Sequence, residues 1–150
     1  MSGVSVDYQF YGSKESQRAV LRALLQRLLS ENVPASDIVL LSRLKLENSV
    51  IATFDRDPEL RFLEYSASVP ERSRVPVFRF STIQAFKGME SPVVVLCDVD
   101  QASAGEPQSL LYVGMSRARS QLCMVVSENL RTVISERIRQ KLSSAWSVQK

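Results

Sequence analysis

Three short runs of consecutive apolar residues most constrain how this chain can fold. They cover residues 38–41, 93–96 and 122–126. A strand exposed on one face alternates apolar and polar residues, whereas a continuous apolar run is typical of a strand covered on both faces. Segments with helical periodicity precede the first run, lie between the last two runs and follow the third, and strands that alternate with helices indicate a parallel sheet. The sequence therefore predicts one α/β domain over residues 1–150, a parallel sheet with helices on both faces.

The first third of the chain contains a strand and a well-delimited helix. Residues 4–10 alternate apolar and polar side chains, which predicts a strand. Ser13 is predicted to cap the helix that follows, and Asn32 and Pro34 are predicted to end it. The leucines of this helix form one broad stripe, which favours packing against a core over a coiled-coil seam.

The rest of the chain is predicted with less regular patterns. We expect residues 43–78 to form short helix or strand pieces joined by loops, and residues 77–81 to form a strand. Residues 98–108 are polar and predict a surface loop. Residues 109–117 predict a second helix, and residues 130–142 predict a final amphipathic helix.

Composition excludes several classes of protein. The chain has no histidine, so imidazole catalysis is excluded, and its two cysteines are too far apart in sequence to predict a metal site. Cys97 and Cys123 lie in or beside apolar runs, which predicts reduced core thiols in a cytoplasmic protein. No apolar run approaches the roughly 20 residues that span a bilayer. The net charge of +3 permits contact with nucleic acid without requiring it.

Polar groups suited to phosphate follow the strand at residues 77–81. Lys87 offers a charge, Gly88 allows a close backbone approach, and Glu90 offers an acceptor for a ribose hydroxyl. Ligands of parallel sheets bind beyond the carboxyl ends of the strands, so we expect residues 82–90 to lie there. From the local pattern alone, a simple lysine-glycine turn before a strand is the better explanation of these residues.

Two arginines that could also bind phosphate stand at and just beyond the end of the second predicted helix. Arg117 and Arg119 stand just before the apolar run at residues 122–126. Arginines at this position can interact with the helix dipole, or one can reach the γ-phosphate of a nucleotide on a facing domain.

Together the two segments resemble one family. Residues 82–96, T-I-Q-A-F-K-G-M-E-S-P-V-V-V-L, resemble motif V of the UvrD/Rep/PcrA-type superfamily 1 helicases. Residues 110–122, L-L-Y-V-G-M-S-R-A-R-S-Q-L, resemble motif VI, in the same order and each leading into a strand. The resemblance implies a RecA-like fold, namely that of the second RecA-like domain of these helicases.

The resemblance also implies roles for particular residues. Arg117 matches the motif VI arginine that contacts the γ-phosphate of ATP across the domain cleft. Gly88 and Glu90 match motif V positions beside the nucleotide, and Lys87 matches a lysine that could couple the nucleotide and nucleic-acid sites.

Two further motif V residues are expected to face nucleic acid. Thr82 and Gln84 match positions that contact single-stranded DNA, although many relatives carry histidine where this chain has Gln84. Glutamine still donates hydrogen bonds, so the contact is weakened and not excluded.

A phosphate loop of the form G-x-x-x-x-G-K-[ST] does not occur in the sequence. We therefore expect ATP and Mg²⁺ to be shared with an upstream RecA-like ATPase domain, and the chain to be one part of an ATP-dependent DNA or RNA helicase, inactive as an ATP hydrolase when isolated. The alternative is a non-catalytic protein-interaction or nucleic-acid-binding module that retains the helicase-domain fold.

Overall fold

A computed structural model describes residues 4–68, 73–100, 106–132 and 134–136. These residues form one six-stranded sheet in the order β1-β6-β5-β2-β4-β3, in which all five pairings are parallel. The strands are β1 Ser5–Tyr11, β2 Ile38–Ser42, β3 Arg61–Glu64, β4 Val77–Thr82, β5 Ser91–Val99 and β6 Ala118–Ser127, and the two α-helices are α1 Lys14–Ser30 and α2 Glu106–Arg117. The predicted parallel α/β sheet is confirmed.

Both ends of α1 are fixed by local hydrogen bonds, as predicted. The Ser13 side chain accepts from the Ser16 amide, and the Ser16 hydroxyl accepts from the Ser13 amide, which is a reciprocal capping box. At the other end Asn32 takes a left-handed conformation with φ of 68°. The Val33 amide then donates to the Leu28 carbonyl oxygen, which closes a Schellman motif.

Apolar side chains cover the sheet on both faces, which explains the continuous apolar runs. The α1 leucines pack on one face, together with the residues of the 3₁₀ turn Val50–Phe54. Residues of the opposite face, including Phe86 and Leu96, form a second cluster, and α2 packs on β5 and β6 there. Central strands β2 and β5 therefore have no solvent-exposed face, and β2 is buried at all five positions.

The connection from β4 to β5 is short for a parallel crossover. Residues 83–90 pass from the carboxyl end of β4 to the amino end of β5, and β2 lies between these two strands. Phe86, in the middle of the connection, is buried in the second cluster against the sheet. This side chain holds the crossover against the sheet. The segment runs from the carboxyl ends of the strands to their amino ends.

Two predicted boundaries were wrong in this region, the start of the loop at residues 98–108 and the start of the helix at residues 109–117. Asp98 and Val99 belong to β5 and are buried, and α2 begins at Glu106, so the predicted loop at residues 98–108 is shorter than expected. The apolar pattern ends at Cys97, and the next residue is held in the interior by hydrogen bonds that no periodicity reveals.

Other predictions are confirmed or lie outside the described residues. Residues 43–78 contain the edge strand β3 and short 3₁₀ turns, as expected of short pieces. Both cysteines are free and buried. The predicted last helix at residues 130–142 is described only as far as residue 136, and its remainder lies outside the described residues. No helix in the described part of the chain is long and apolar enough to cross a membrane.

Candidate functional site

The predicted site residues separate into two groups at opposite edges of the sheet. Thr82 ends β4 at the carboxyl edge, which is the side of the sheet where the carboxyl ends of its parallel strands lie. Gln84 follows two residues later. Lys87, Gly88 and Glu90 lie at the other end of the crossover, just before β5 begins at the amino edge. The prediction that residues 82–90 all lie beyond the carboxyl ends was therefore wrong for these three, because the segment crosses the sheet face. A nine-residue strand such as β5 separates the edges by about 30 Å.

At the amino edge the two motif-like segments meet. Ser91, the first residue of β5, pairs with Ala118, the first residue of β6. Glu90 and Arg117 immediately precede this pair, and neighbouring strands lie about 4.8 Å apart. The fold thus brings together an acceptor and a cation that are 27 positions apart in the sequence.

Gly88 has a left-handed backbone conformation and free space around its Cα at this edge. Its φ is +82°, in the left-handed region, and an added Cβ would meet no heavy atom within 4 Å. Glycine is needed here for its conformation and not for lack of space. Lys87 on one side is exposed, and so is Met89 on the other, with 41% of its surface accessible. These three residues are therefore accessible from solvent.

Arg117 lies in the last turn of α2 and is partly exposed. Its guanidinium makes no hydrogen bond or ion pair with another described residue. Arg119 is also exposed, in the first residues of β6. Because Arg117 is the last residue of a helix that packs on the sheet, its backbone position is more constrained than that of an arginine in a loop.

Gly114, which the sequence analysis did not single out, sets the distance of α2 from the sheet. A Cβ at this position would lie 2.7 Å from one methyl group of Leu122 and 2.8 Å from a methyl group of Leu96. Both leucines are fully buried. A glycine three residues before Arg117 therefore lets the helix pack closely on β5 and β6. The signal in the sequence was a glycine inside an otherwise helical pattern, for which close packing is a usual reason.

At the carboxyl edge Thr82 caps the crossover. Its Oγ1 accepts from the Ala85 amide at 3.1 Å, and its carbonyl oxygen accepts from the Phe86 amide at 3.1 Å. A threonine hydroxyl has one proton as well as its lone pairs, so Thr82 can still donate to a phosphate oxygen while it caps the turn. Gln84, two residues after Thr82, is exposed and can donate from its side-chain amide.

A concave surface adjoins these residues. A cavity of about 300 Å³ is lined by Lys45, Tyr65 and Thr82 among others, and has both basic and acidic side chains at its rim. A second cavity, of about 750 Å³, lies beside the edge strand β3 and includes none of the predicted site residues. Of these two cavities, the smaller one adjoins a predicted binding residue.

Next to the carboxyl edge, buried polar groups form a network. Asp98 is 5% exposed and lies beside Val99, whose carbonyl oxygen accepts from the Tyr11 hydroxyl at 3.4 Å. Burial, reinforced by the negative charges of Asp100 and Asp98, raises the pKa of Tyr11 well above its usual value. The phenol therefore remains a neutral donor at this edge over the physiological range of pH.

The residues at the amino edge fit part of a nucleotide site. They offer a partly exposed guanidinium at Arg117, a left-handed backbone at Gly88 and an exposed carboxylate at Glu90. Among the described residues, no group of three His, Cys, Asp or Glu side chains could hold a metal ion. A guanidinium and a lysine ammonium at one edge of the sheet are groups that can bind phosphate.

Comparisons with known proteins agree with this arrangement. Residues 78–125, about a third of the chain, match the model of the UvrD-like helicase C-terminal domain family. This stretch contains all six predicted site residues. The resemblance predicted from the two motifs is thus confirmed over this stretch. No curated protein sequence matches the chain.

Solved structures support the fold. The C-terminal domain of a possible DNA helicase from Lactobacillus plantarum WCFS1 is similar with a TM-score of 0.57 and 17% identity, over 84% of this chain and 74% of that one. At this identity the similarity establishes the fold alone, and the predicted RecA-like fold of a helicase C-terminal domain is confirmed. The C-terminal part of the Fun30 ATPase domain gives a TM-score of 0.47 and 13% identity, over 75% of this chain and 41% of that one, which is too weak to bear on the fold.

Proposed function

We propose that this chain acts as the second RecA-like domain of an ATP-dependent DNA or RNA helicase. The observation that carries the proposal is the pairing of Ser91 with Ala118, because it makes Glu90 and Arg117 neighbours at one edge of the sheet. An upstream RecA-like ATPase domain would face this edge and supply the phosphate loop and the ligands of Mg²⁺. When bound there, Mg-ATP supplies the phosphoryl group that is transferred to water.

In this proposal each residue of the amino edge has a distinct task. Arg117 holds positive charge near the γ-phosphate as negative charge develops on the transferred group, as an arginine finger does. Glu90 accepts from a ribose hydroxyl, and the left-handed Gly88 brings backbone close to the phosphates. Lys87 adds a positive charge at the same edge and lies on the segment that leads to the other site.

The carboxyl edge would contact single-stranded nucleic acid. Thr82 donates from its hydroxyl and Gln84 from its amide, both towards backbone phosphates. The crossover at residues 83–90 joins this edge directly to the nucleotide edge, and Phe86 holds it against the sheet. Closure of the two RecA-like domains around the nucleotide would then move Thr82 and Gln84 relative to the other domain, and so along the strand.

The test of the nucleotide role is ATPase activity of the chain mixed with its upstream domain, with and without single-stranded DNA. We expect DNA-stimulated turnover that falls about 10³-fold or more in Arg117→Ala, since an arginine finger contributes 10³–10⁵ in rate. Arg56→Ala is the matched control, because Arg56 is an exposed arginine in a turn and is not a predicted site residue. Turnover by the chain alone, or equal turnover in the two variants, would contradict the proposal and favour the non-catalytic module.

The nucleic-acid role has its own test. We expect Gln84→Ala to weaken binding of a fluorescein-labelled dT oligonucleotide about tenfold, as for loss of one hydrogen bond to a charged group. The unfolding free energy should not change, because the side chain is exposed. Gln26→Ala, on the exposed side of α1, is the control and should bind as the wild type does. Equal binding by both variants would remove Gln84 from the site.

A further inference from the structure

Asp98 has an unusual backbone for a buried residue. Its φ is 62°, in the left-handed region, and its side chain is inside the protein with 5% exposure. The pairing of β5 with β6 shifts register between Leu96 and Val99, so Asp98 lies in a local irregularity of the strand. Strained backbone in a non-glycine residue persists only where surrounding contacts determine it, and such residues cluster at functional sites.

The Asp98 carboxylate is held by four donors. Its Oδ2 accepts from the hydroxyl of Ser42 at 2.6 Å and from that of Ser49 at 2.5 Å. Its Oδ1 accepts from the Val50 amide at 3.0 Å and from the Gln17 side chain at 3.4 Å. The Gln17 Oε1 accepts in return from the Asp98 amide at 2.8 Å. One side chain thus ties α1, the end of β2 and the turn after it to the end of β5.

This network reaches the candidate nucleic-acid edge through one residue. The Ser42 carbonyl oxygen accepts from the Ile83 amide at 2.9 Å, and Ser42 pairs with Thr82 in the sheet. Ile83 lies between Thr82 and Gln84 in the chain. Two consecutive hydrogen-bonded links therefore lead from the buried carboxylate to the backbone that presents both predicted donors. Ser49 also donates its hydroxyl to the carboxylate, but among the described residues it makes no hydrogen bond to the turn at Ile83.

A structural role alone gives little reason for a charge here. Removing a carboxylate from water is costly, and a well-packed apolar group of similar size is often as stable or more stable. The charge does, however, give directional bonds that fix several backbones relative to one another. The segment near Asp98 whose position matters for binding is the turn that begins at Thr82.

We propose that Asp98 is a positioning residue for the nucleic-acid edge. Through Ser42 it holds the turn at Ile83 so that the Thr82 hydroxyl and the Gln84 amide face outward together. The proposal rests on the nucleic-acid role proposed above, and it predicts that a change in the interior, without contact to the ligand, weakens binding.

Two serine variants distinguish positioning from general stability. Ser42→Ala and Ser49→Ala each remove one hydroxyl from the same carboxylate oxygen. Only Ser42→Ala breaks the link from Asp98 to the Ile83 turn. We expect Ser42→Ala and Asp98→Asn to weaken dT oligonucleotide binding by the 150-residue chain about tenfold, and Ser49→Ala to change it less than twofold. Leu28→Ala, a core variant at the far end of α1, controls for lost stability.

Amide hydrogen exchange is a second measurement on the same variants. We expect the Ile83 amide to exchange about tenfold faster in Ser42→Ala and Asp98→Asn than in Leu28→Ala. Unchanged exchange at Ile83, or equal effects of the two serine variants on binding and exchange, would overturn the role of Asp98. Failure of the wild-type chain to bind the oligonucleotide would instead overturn the proposed nucleic-acid role, whatever the exchange rates, so the two failures can be told apart.

Discussion

Gly88 shows that a glycine in a candidate site can be required by its backbone alone. Its φ of +82° is costly for other residues, whereas the space around it would accept a methyl group. We expect Gly88→Ala to lower the unfolding free energy by about 1 kcal/mol, the cost of a left-handed residue with a Cβ. Gly12→Ala is the control, since Gly12 also has open space but no positive φ. Equal urea midpoints for the two variants would show that the conformation at Gly88 adjusts freely.

Asp57 is the residue whose charge should make stability depend on pH. Its side chain is only 1% exposed and lies 3.1 Å from Arg18 and 3.5 Å from Arg22. Burial alone would raise the pKa of Asp57, but the amides of Glu59 and Leu60 and the two arginines together hold it below its usual value. The folded protein therefore favours the carboxylate, and the unfolded chain binds a proton more readily in acid.

Substitution of Asp57 by Asn tests this charge. We expect Asp57→Asn to lower the unfolding free energy by about 2 kcal/mol at pH 7, the scale of hydrogen bonds to a charged group. The stabilisation by the carboxylate is complete above the unfolded pKa of about 3.9 and is lost as pH falls through the lower folded value. Urea unfolding at pH 7 and pH 3 should therefore show a smaller difference between wild type and variant in acid. A constant difference would mean that the charge is not the cause.

At the scale of elements, α2 links packing to the candidate site. Alanine normally stabilises a helix interior relative to glycine by up to about 1 kcal/mol. At Gly114 the added methyl would instead overlap the buried side chains of Leu122 and Leu96, and overpacking costs about 1–3 kcal/mol. We expect Gly114→Ala to destabilise the chain by about 1 kcal/mol, measured by urea unfolding. A gain in stability would show that the two leucines can move aside.

The elements also show which features a sequence can predict. The cap at Ser13, the left-handed Asn32 and the apolar runs follow from local rules, and the structure has them where the sequence predicted them. The separation of Thr82 from Glu90 along the strands follows from the predicted parallel sheet, because a connection between parallel strands returns from a carboxyl end to an amino end. The position of β2 between β4 and β5 could not be predicted. The order of strands is a property of the whole chain.

Asp98 escaped prediction for a similar reason. In the sequence it follows an apolar run and begins a polar stretch, so a turn was the natural expectation. Its donors come from Gln17, Ser42 and Ser49, which are 81, 56 and 49 positions away. Short-range patterns do not reveal such partners. The candidate residues at the amino edge followed from the local pattern, and the resemblance of two long motifs to those of a family implied their separate roles.

At the scale of the whole molecule, the two cysteines can report how often the sheet opens. Cys97 and Cys123 are the only thiols in the sequence, and both are free and buried in the first core cluster. Burial raises the pKa of Cys123 to about 12 and raises that of Cys97 well above its ordinary value. Since the thiolate is the reactive form, neither should react with a disulfide reagent at pH 8 while the sheet is closed.

We therefore expect labelling by such a reagent to proceed only through opening of the sheet. The labelling rate should rise with urea in parallel with the fraction unfolded, and Gly114→Ala should accelerate it about fivefold, as expected for a loss of about 1 kcal/mol at 25 °C. Because β5 and β6 pair directly, both thiols should become reactive together. Fast reaction of one thiol in native buffer would show that its strand opens separately, and that the pairing that joins the two motif-like segments is not maintained.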